Sequence, residues 1–312
     1  MGMTGQSPTR PHVVYLFDKG FSYCSLLSAY SVLTHRAGPV DISFFNAKPI
    51  PGFAEAVELL QKAFPNAKLD LRIEPELNFT FDTGKGLPPA TYGRLLLPEF
   101  IKGRVLYLDG DTFARHDVLP LFEMDLDGKC FACALDSFVE RDLAYTQVWW
   151  SGRVKDYLKP MIKNPELIDS TRYYNTGVMV LDMDQIDKTP ALRQMFDPVA
   201  GFQFVFEHSF PFNDQEWINH KAAGHFKTLD PIWNSIKGNF KTARPPLSRE
   251  RRRAYAASRQ DPAILHFAGP NKPWLPLQQP IPRQEKRWYS EYQAAITDMA
   301  QILGRDFRDT LV

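Results

Sequence analysis

The stretch Arg104-Val-Leu-Tyr-Leu-Asp109-Gly-Asp111-Thr112 decides the fold of this chain. An apolar run that favours β-structure ends there in two carboxylates with one small residue between them. Such a run predicts a buried strand that ends at the carboxyl edge of a sheet, where α/β proteins bind their ligands. The two carboxylates repel each other unless a cation lies between them. A divalent ion would leave coordination sites open for a diphosphate. The alternative to a metal site is a turn at the end of the strand that caps the next helix.

The composition of the chain is that of an ordinary globular protein. Its 312 residues are 44% hydrophobic and 23% charged, enough for one large α/β domain. The formal net charge of +1 gives no reason to expect a nucleic-acid partner. Residues 1–11 are polar, and no stretch reaches the roughly 18 apolar residues of a membrane span. We therefore expect neither a signal peptide nor a membrane helix. This predicts a cytoplasmic location.

The three cysteines are Cys24, Cys130 and Cys133. The spacing of Cys130 and Cys133 is that of a metal or redox pair, but they lie in an apolar run that resembles a strand. Residues three apart on a strand point to opposite faces, so we expect buried, unpaired cysteines.

Strand-like and helix-like segments alternate along the chain. The predicted strands cover residues 12–18, 40–45, 104–108, 131–135 and 176–181, and the predicted helices cover 26–33 (with Ser22 as N-cap), 53–64, 91–100 and 214–223. This alternation predicts an α/β fold with a mostly parallel sheet flanked by helices. We expect a single catalytic domain over residues 1–275 and a helical tail over 276–312.

Two groups of residues could bind a nucleotide and its phosphates. Asp18 and Phe21 follow the first predicted strand, where a carboxylate can accept a hydrogen bond from a base and a ring can stack on it. The sequence Asp-x-Gly is also ordinary turn chemistry. Arg94 lies one predicted helix before Asp109 and Asp111, from where it could bind phosphate oxygens or order a carboxylate.

Two further groups could bind a sugar and complete a metal site. Asn175 and the pair Asp214-Gln215 offer short polar side chains suited to sugar hydroxyls, although Asp214 could equally cap a helix. His266 ends an apolar run and could be an imidazole ligand. Gly269 permits close backbone approach, and Lys272 is a phosphate partner. Together the groups predict a metal–diphosphate site.

Five segments, in the same order along the chain, resemble glycosyltransferase family eight. They are Tyr92-Gly-Arg-Leu-Leu-Leu-Pro98, Arg104-Val-Leu-Tyr-Leu-Asp-Gly-Asp111, Tyr174-Asn-Thr-Gly-Val178, Asn213-Asp-Gln215 and His266-Phe-Ala-Gly-Pro-Asn-Lys-Pro-Trp274. This is the retaining family of glycogenin and of bacterial lipopolysaccharide and lipooligosaccharide galactosyl- and glucosyltransferases. The resemblance covers roughly residues 12–275. It implies the GT-A fold, in which a Rossmann-like nucleotide-binding half is merged with an acceptor-binding half.

The resemblance implies a role for each candidate residue. The manganese ligands, with Mg²⁺ as the alternative ion, match Asp109, Asp111 and His266. The residues that contact the uracil and the diphosphate match Asp18, Phe21, Gly269 and Lys272. Those around the donor sugar and the acceptor match Arg94, Asp136, Asn175, Asp214 and Gln215. The chain departs from the family at Phe21, usually a tyrosine, at Gly110, where a bulkier residue often lies, and at Thr176, which replaces a smaller one.

The implied reaction moves galactose or glucose from a UDP-sugar to a hydroxyl of a glycan or glycolipid, with retention, in lipopolysaccharide or other glycan synthesis. The amide of Gln215 is a poor nucleophile, so we expect front-face attack in which the UDP β-phosphate takes the acceptor proton. Asp214, Gln215 and Asn175 would stabilise the oxocarbenium-like transition state. The alternative is a catalytically inactive, nucleotide-sugar-binding relative. A haloacid-dehalogenase-type phosphatase is disfavoured because Phe113 stands where that family has Thr or Val.

Two basic segments raise the question of membrane contact at the inner face. Residues 249–253 include four arginines, which could touch an anionic membrane but are better interpreted as a solvated helix face. The segment Arg287-Trp-Tyr289 could dock on a membrane, and an ordinary terminal helix is the simpler interpretation.

Overall fold

The computed structural model of the protein describes residues 10–78, 90–148, 154–242, 247–277 and 279–311. The strands are β1 His12–Leu16, β2 Val40–Asn46, β3 Ala67–Ile73, β4 Arg104–Leu108, β5 Thr112–Ala114, β6 Phe131–Leu135, β7 Tyr174–Asp182, β8 Phe226–Leu229, β9 Ser235–Ile236 and β10 Ile264–His266. The longer helices are α1 Ser22–His35, α2 Phe53–Ala63, α6 Ser137–Val148, α10 Pro198–His208, α11 Asp214–Lys221, α12 Arg249–Gln260 and α13 Lys286–Leu303. The shorter helices are α3 Ala90–Gly93, α4 Leu97–Phe100, α5 Leu119–Glu123, α7 Lys159–Lys163, α8 Met183–Asp187, α9 Pro190–Arg193 and α14 Arg308–Leu311.

Seven strands form the central sheet in the order β3-β2-β1-β4-β7-β6-β8. Neighbours are parallel from β3 through β4 and again between β6 and β8, while β7 runs antiparallel to both β4 and β6. The predicted mostly parallel sheet is therefore confirmed. Because β1 and β4 are adjacent and parallel, Asp18 and Asp109 follow strands that end at the same edge of the sheet.

A second, three-stranded sheet with the order β5-β10-β9 brings the distant end of the chain to this edge. Strand β5 follows the acidic pair directly, and β10 pairs with it so that His266 lies opposite Thr112. On the other side of β10, His266 lies opposite Ile236 of β9. The backbone pairing alone thus places His266 one residue away from Asp111.

Helices cover both faces of the central sheet. Alternate residues of β1 point to opposite faces, so that Tyr15 packs in a core with α1, α2 and α13, and Leu16 in a second core with α4 and α11. In α13, Trp288 and Tyr289 are buried in the first core, so these rings are not available to a membrane surface. The division at residue 275 stays a prediction.

Several predicted elements differ in detail from the structure. Phe21, rather than Ser22, is the N-cap of α1, and Ser22 Oγ lies 2.8 Å from the carbonyl oxygens of Lys19 and Leu311. The predicted helix over 91–100 is divided into α3, a 3₁₀ turn and α4. Five of the described strands were not predicted: β3, β5, β8, β9 and β10. Of these, β3 has residues that alternate between apolar and polar. The three cysteines are buried and unpaired, as predicted.

Among the described helices, none combines the length and the apolar character that crossing a membrane requires.

Candidate functional site

Asp109, Asp111 and His266 form a compact group at the carboxyl edge of the sheet. Each offers one ligand atom, and these atoms lie within 4.8 Å of one another. His266 Nε2 is 3.2 Å from Asp111 Oδ1 and 3.8 Å from Asp109 Oδ2. Cis ligands of an octahedral ion bound at about 2.1 Å lie roughly 3 Å apart, so a small divalent cation fits with little rearrangement.

The chemistry of this group also suits a divalent cation. His266 Nδ1 lies 3.0 Å from Asn234 Oδ1, so the ring presents Nε2 to the two carboxylates. Two carboxylates and one imidazole match Mn²⁺ or Mg²⁺ better than a soft, thiolate-seeking metal. The three residues that the sequence predicted as metal ligands are therefore brought together.

Lys272 lies against the same group. Its Nζ is 2.5 Å from Asp111 Oδ2 and 3.0 Å from Phe267 O. Burial raises the pKa of Asp111, but His266 and Lys272 outweigh it and hold that pKa well below its usual value. Burial lowers the pKa of His266, and Asp111 outweighs this, so that its pKa is raised. Positive charge is thus already collected where the acidic pair needs it.

Arg94 connects the acidic pair to α11. Its NH2 is 3.2 Å from Asp109 Oδ1, its Nε is 2.8 Å from Asp214 Oδ2, and its NH1 donates to Thr176 O at 2.9 Å. Its guanidinium also lies 4.8 Å from the ring centre of Tyr107. Of the two roles that the sequence left open, ordering a carboxylate is the one that these contacts support. Burial raises the pKa of Asp214 to about 7, although Arg94 opposes the shift.

A chain of side-chain hydrogen bonds joins the remaining predicted residues. Asp136 Oδ2 accepts from Asn175 Nδ2 at 3.0 Å and from Gln215 Nε2 at 3.5 Å, while its Oδ1 caps α6 by accepting from Phe138 N and Val139 N. These four hydrogen bonds use the acceptor capacity of one carboxylate. Asp136 is thereby held as the centre of this network.

Gln215 is fixed at both ends of its amide. Besides the contact with Asp136, its Oε1 accepts from Thr176 N at 3.1 Å. The turn before it is strained, because Asn213 has φ 62° and ψ −125°. Neither Asn213 nor Asp214 caps α11 with its side chain; instead the carboxyl group of Glu216 reaches back and accepts from Phe212 N at 3.1 Å. The role of Glu216 in this turn was not predicted from the sequence.

Asp18 and Phe21 line a cavity of about 180 Å³ together with Arg94, Asp109 and Asp111. Phe21 is 38% exposed, and the Lys272 ammonium lies 5.5 Å from its ring centre. An adjoining apolar cavity of about 310 Å³ shares Asp18 and continues to Ile50. The ring of a ligand could therefore stack on Phe21, beside the ammonium of Lys272.

Gly269 follows β10 in a loop. Its φ of 97° lies in the region that favours glycine, and a Cβ atom there would be 3.1 Å from Lys237 Nζ. The structure therefore gives a physical reason for the glycine and places a second lysine beside it.

Three contacts around the acidic pair had no sequence signal. Tyr107 donates to Asp109 Oδ1 at 2.9 Å. A Cβ atom on Gly177 would overlap His266 Cε1, and one on Gly110 would overlap Ser25 Oγ. The last contact explains why Gly110 stands where the family often has a bulkier residue: α1 packs directly against this turn.

The fold is found in solved glycosyltransferase structures. The bifunctional glycosyltransferase WbbM in its apo form superposes with a TM-score of 0.70 at 20% identity, over 98% of this chain and 53% of WbbM. The galactosyltransferase LgtC in complex with donor and acceptor sugar analogues superposes with a TM-score of 0.68 at 20% identity, over 96% of this chain and 100% of LgtC. At these identities the likeness concerns the fold, and it confirms the predicted GT-A architecture.

Sequence comparison finds bacterial and plant relatives. General stress protein A of Bacillus subtilis strain 168 is 24% identical over 193 residues, 59% of each chain, so the match spans well under two thirds of that protein. Probable galacturonosyltransferase-like 4 of Arabidopsis thaliana is 23% identical over 294 residues, 85% of this chain and 74% of that one. The protein-family model for Glycosyl transferase family 8 matches residues 12–278 of this chain. With more than half of its length matched, the chain belongs to glycosyl transferase family 8.

Proposed function

We propose that this protein transfers a hexose from a UDP-sugar to a hydroxyl of a glycan or glycolipid acceptor, with retention at the anomeric carbon and with a divalent cation. One observation carries the proposal. The group of Asp109, Asp111 and His266 lies beside a cavity that also contains Asp18 and Phe21. A nucleotide base, a diphosphate and a cation can therefore be bound in one continuous site.

The residues that would hold the cation, Mn²⁺ with Mg²⁺ as the alternative, are Asp109, Asp111 and His266. When bound, the cation supplies Lewis-acid stabilisation of the charge that develops on the leaving diphosphate. Lys272 adds a second positive charge next to Asp111. Its side chain is 14% exposed, so its attraction for a diphosphate is screened less than that of a surface lysine. Gly269 allows the backbone to approach the phosphates closely.

The network around Gln215 supports front-face attack rather than a covalent intermediate. Gln215 Oε1 is neutral and already accepts a hydrogen bond from Thr176 N, which makes it a poor nucleophile. Asp214 is 2% exposed and paired with Arg94, and Asp136 has its acceptor capacity in use. The β-phosphate of the donor would then take the proton of the acceptor hydroxyl. Detection by mass spectrometry of a trapped glycosyl adduct on Gln215 would overturn this route.

We propose that the donor hexose is galactose or glucose, the two that the resemblance implies. The plant relatives are named for galacturonate, so UDP-galacturonate belongs in the same test. We propose that the reaction belongs to lipopolysaccharide or other glycan synthesis in the cytoplasm, and that it takes place at the inner face of the membrane if the acceptor is a lipid-linked glycan.

The deciding experiment measures UDP release from UDP-galactose, UDP-glucose and UDP-galacturonate, with Mn²⁺, with Mg²⁺ and with chelator, for the natural chain and for Asp111→Asn. We expect cation-dependent release with at least one donor and loss of release in the variant. An inactive nucleotide-sugar-binding relative would bind UDP and release none from any donor. That result, with or without cation, would sink the enzymatic proposal.

A further inference from the structure

Asn234 is buried between the metal group and the network of Asn175. It is 2% exposed. Its Oδ1 lies 3.0 Å from His266 Nδ1, and its Nδ2 donates to Asn175 Oδ1 at 2.8 Å. No sequence pattern indicated this residue, because residues 231–246 have little periodicity. One side chain thus contacts both a predicted metal ligand and a predicted sugar-binding residue.

We propose that Asn234 is a positioning residue that fixes His266 and Asn175 together. It would hold His266 in the tautomer whose Nε2 lone pair faces the cation, and it would hold Asn175 with its amide nitrogen toward Asp136. The role of Asn234 toward His266 concerns cation binding alone. Its role toward Asn175 rests on the proposed function, since Asn175 is expected to act on the donor sugar.

One backbone group sets the direction of the hydrogen bonds that link Gly177, Asn175, Asn234 and His266. Gly177 N is only a donor, and it lies 3.0 Å from Asn175 Oδ1, which is therefore the amide oxygen. The group of Asn234 that donates to this oxygen must be its nitrogen, so the atom of Asn234 that faces His266 is its oxygen. An oxygen can only accept, so His266 Nδ1 carries a proton, and in the neutral ring Nε2 then holds the lone pair that a cation can take.

The fold places Asn234 without help from its side chain. It ends the 3₁₀ turn Pro231–Asn234, which Asp230 caps by accepting from Ile232 N at 2.9 Å. Strand β9 follows immediately and pairs with β10, so that Ile236 lies beside His266. Because the backbone sets this register, a substitution at Asn234 is expected to change the hydrogen bonds while leaving the local fold in place.

Outer-shell partners of metal-binding histidines typically contribute 10–100-fold in metal affinity. We therefore compare the natural chain, Asn234→Leu and the control Asn164→Leu, which removes the amide that donates to Pro160 O at the end of α7. Mn²⁺ alone is titrated without donor and followed by electron paramagnetic resonance. Electron spin echo modulation then reports whether an imidazole nitrogen coordinates the bound Mn²⁺.

For Asn234→Leu we expect Mn²⁺ affinity lower by about 10–100-fold and a weakened nitrogen coupling, with the circular dichroism spectrum unchanged. Asn164→Leu is expected to match the natural chain in both readouts. Equal Mn²⁺ affinity and equal nitrogen coupling in the natural chain and Asn234→Leu would overturn the inference.

Asn234→Asp separates the two halves and replaces Asn234→Leu if the latter does not fold. Its carboxylate still accepts from His266 Nδ1 but cannot donate to Asn175. We expect Mn²⁺ affinity within about threefold of the natural value, together with a kcat for transfer lower by at least about tenfold and a nearly unchanged KM. A large loss of Mn²⁺ affinity in this variant, or an unchanged kcat, would contradict the proposed double role.

The binding and transfer measurements keep two failures apart. A natural chain that binds Mn²⁺ through nitrogen and turns over no UDP-sugar refutes the proposed function, while the role of Asn234 toward His266 stands or falls on the binding data alone.

Discussion

Arg94 Nε lies 2.8 Å from Asp214 Oδ2, yet within the described part of the chain neither atom has a hydrogen-bond partner. The pair is therefore held by charge at a distance typical of a hydrogen bond but without its alignment. Arg94 is 11% exposed and Asp214 3% as side chains, so each charge depends on the other. This contact joins the start of α11, which carries Gln215, to the 3₁₀ turn between α3 and α4.

Replacing Arg94 is expected to destabilise the fold strongly. Arg94→Leu leaves both Asp109 and Asp214 without their cation, and loss of one partner of a buried pair costs about 3–5 kcal/mol. Urea unfolding of Arg94→Leu would measure this cost. The exposed pair Lys102–Asp187 is the control, because Lys102→Leu should cost under about 1 kcal/mol. Similar costs for the two variants would contradict a buried ion pair.

Loss of a carboxylate from the metal group should act on cation binding rather than on folding. We expect Asp109→Asn and Asp111→Asn to lower Mn²⁺ affinity by at least about 100-fold, since each removes one of three protein ligands. Isothermal titration with Mn²⁺ alone measures the effect. Glu58→Gln, on the exposed side of α2, should bind like the natural chain. A metal affinity in Asp111→Asn equal to that of Glu58→Gln would remove the basis of the site.

The close approach of α1 to the acidic turn predicts a coupled pair of substitutions. Gly110→Ala would place a Cβ atom against Ser25 Oγ, and both residues are buried. We expect Gly110→Ala to lose stability and the double variant Ser25→Ala/Gly110→Ala to recover much of it. The coupling energy in a double-mutant cycle should be roughly 0.5–3 kcal/mol. Additive effects of the two substitutions would show that the turn can move away from α1.

Glu216 should make stability depend on pH. It is fully buried, and burial raises its pKa from 4.5 to about 8. The folded chain then keeps a proton that the unfolded chain releases between pH 4.5 and 8, so stability falls as pH rises through this window. One group contributes a slope of at most about 1.4 kcal/mol per pH unit.

Glu216→Gln still has an oxygen that can accept from Phe212 N but cannot ionise. Urea unfolding at pH 5, 6.5 and 8 should therefore show the variant gaining on the natural chain as pH rises. Glu58→Gln should follow the natural chain at every pH. A constant difference between Glu216→Gln and the natural chain would mean that Glu216 is ionised in both states.

Basic segments contribute less to a membrane surface than their composition indicates. Arg251, one of the four arginines in residues 249–253, donates to both carboxylate oxygens of Glu140 at 2.8 and 2.7 Å. Part of the expected solvated face is therefore an internal contact between α12 and α6. Membrane association stays a proposal.

Local pattern was sufficient for five of the strands in the central sheet and for the residues within each motif. Asp109 and Asp111 could be assigned to one strand end because two neighbours in sequence stay neighbours in any fold. Asn234, Ser25 and Glu216 could not be found in this way. Asn234 and Ser25 contact residues far away in the chain, and a buried asparagine or serine leaves no periodic signal. Glu216 contacts the turn just before its own helix, but its sequence context does not distinguish it from an exposed helical glutamate.

The sequence by itself determined the α/β alternation, the acidic strand end, and the five motifs that resemble one family. Only the tertiary structure decided how these motifs meet. Strands β5 and β10 pair antiparallel, so His266 reaches Asp111 and Lys272 reaches across 161 positions of sequence to the same carboxylate. The tertiary structure also assigned Arg94 to two carboxylates and gave His266 a partner in Asn234. Hydrogen bonds and ion pairs act over a few ångströms, and sheet pairing is what brings distant parts of the chain within that range.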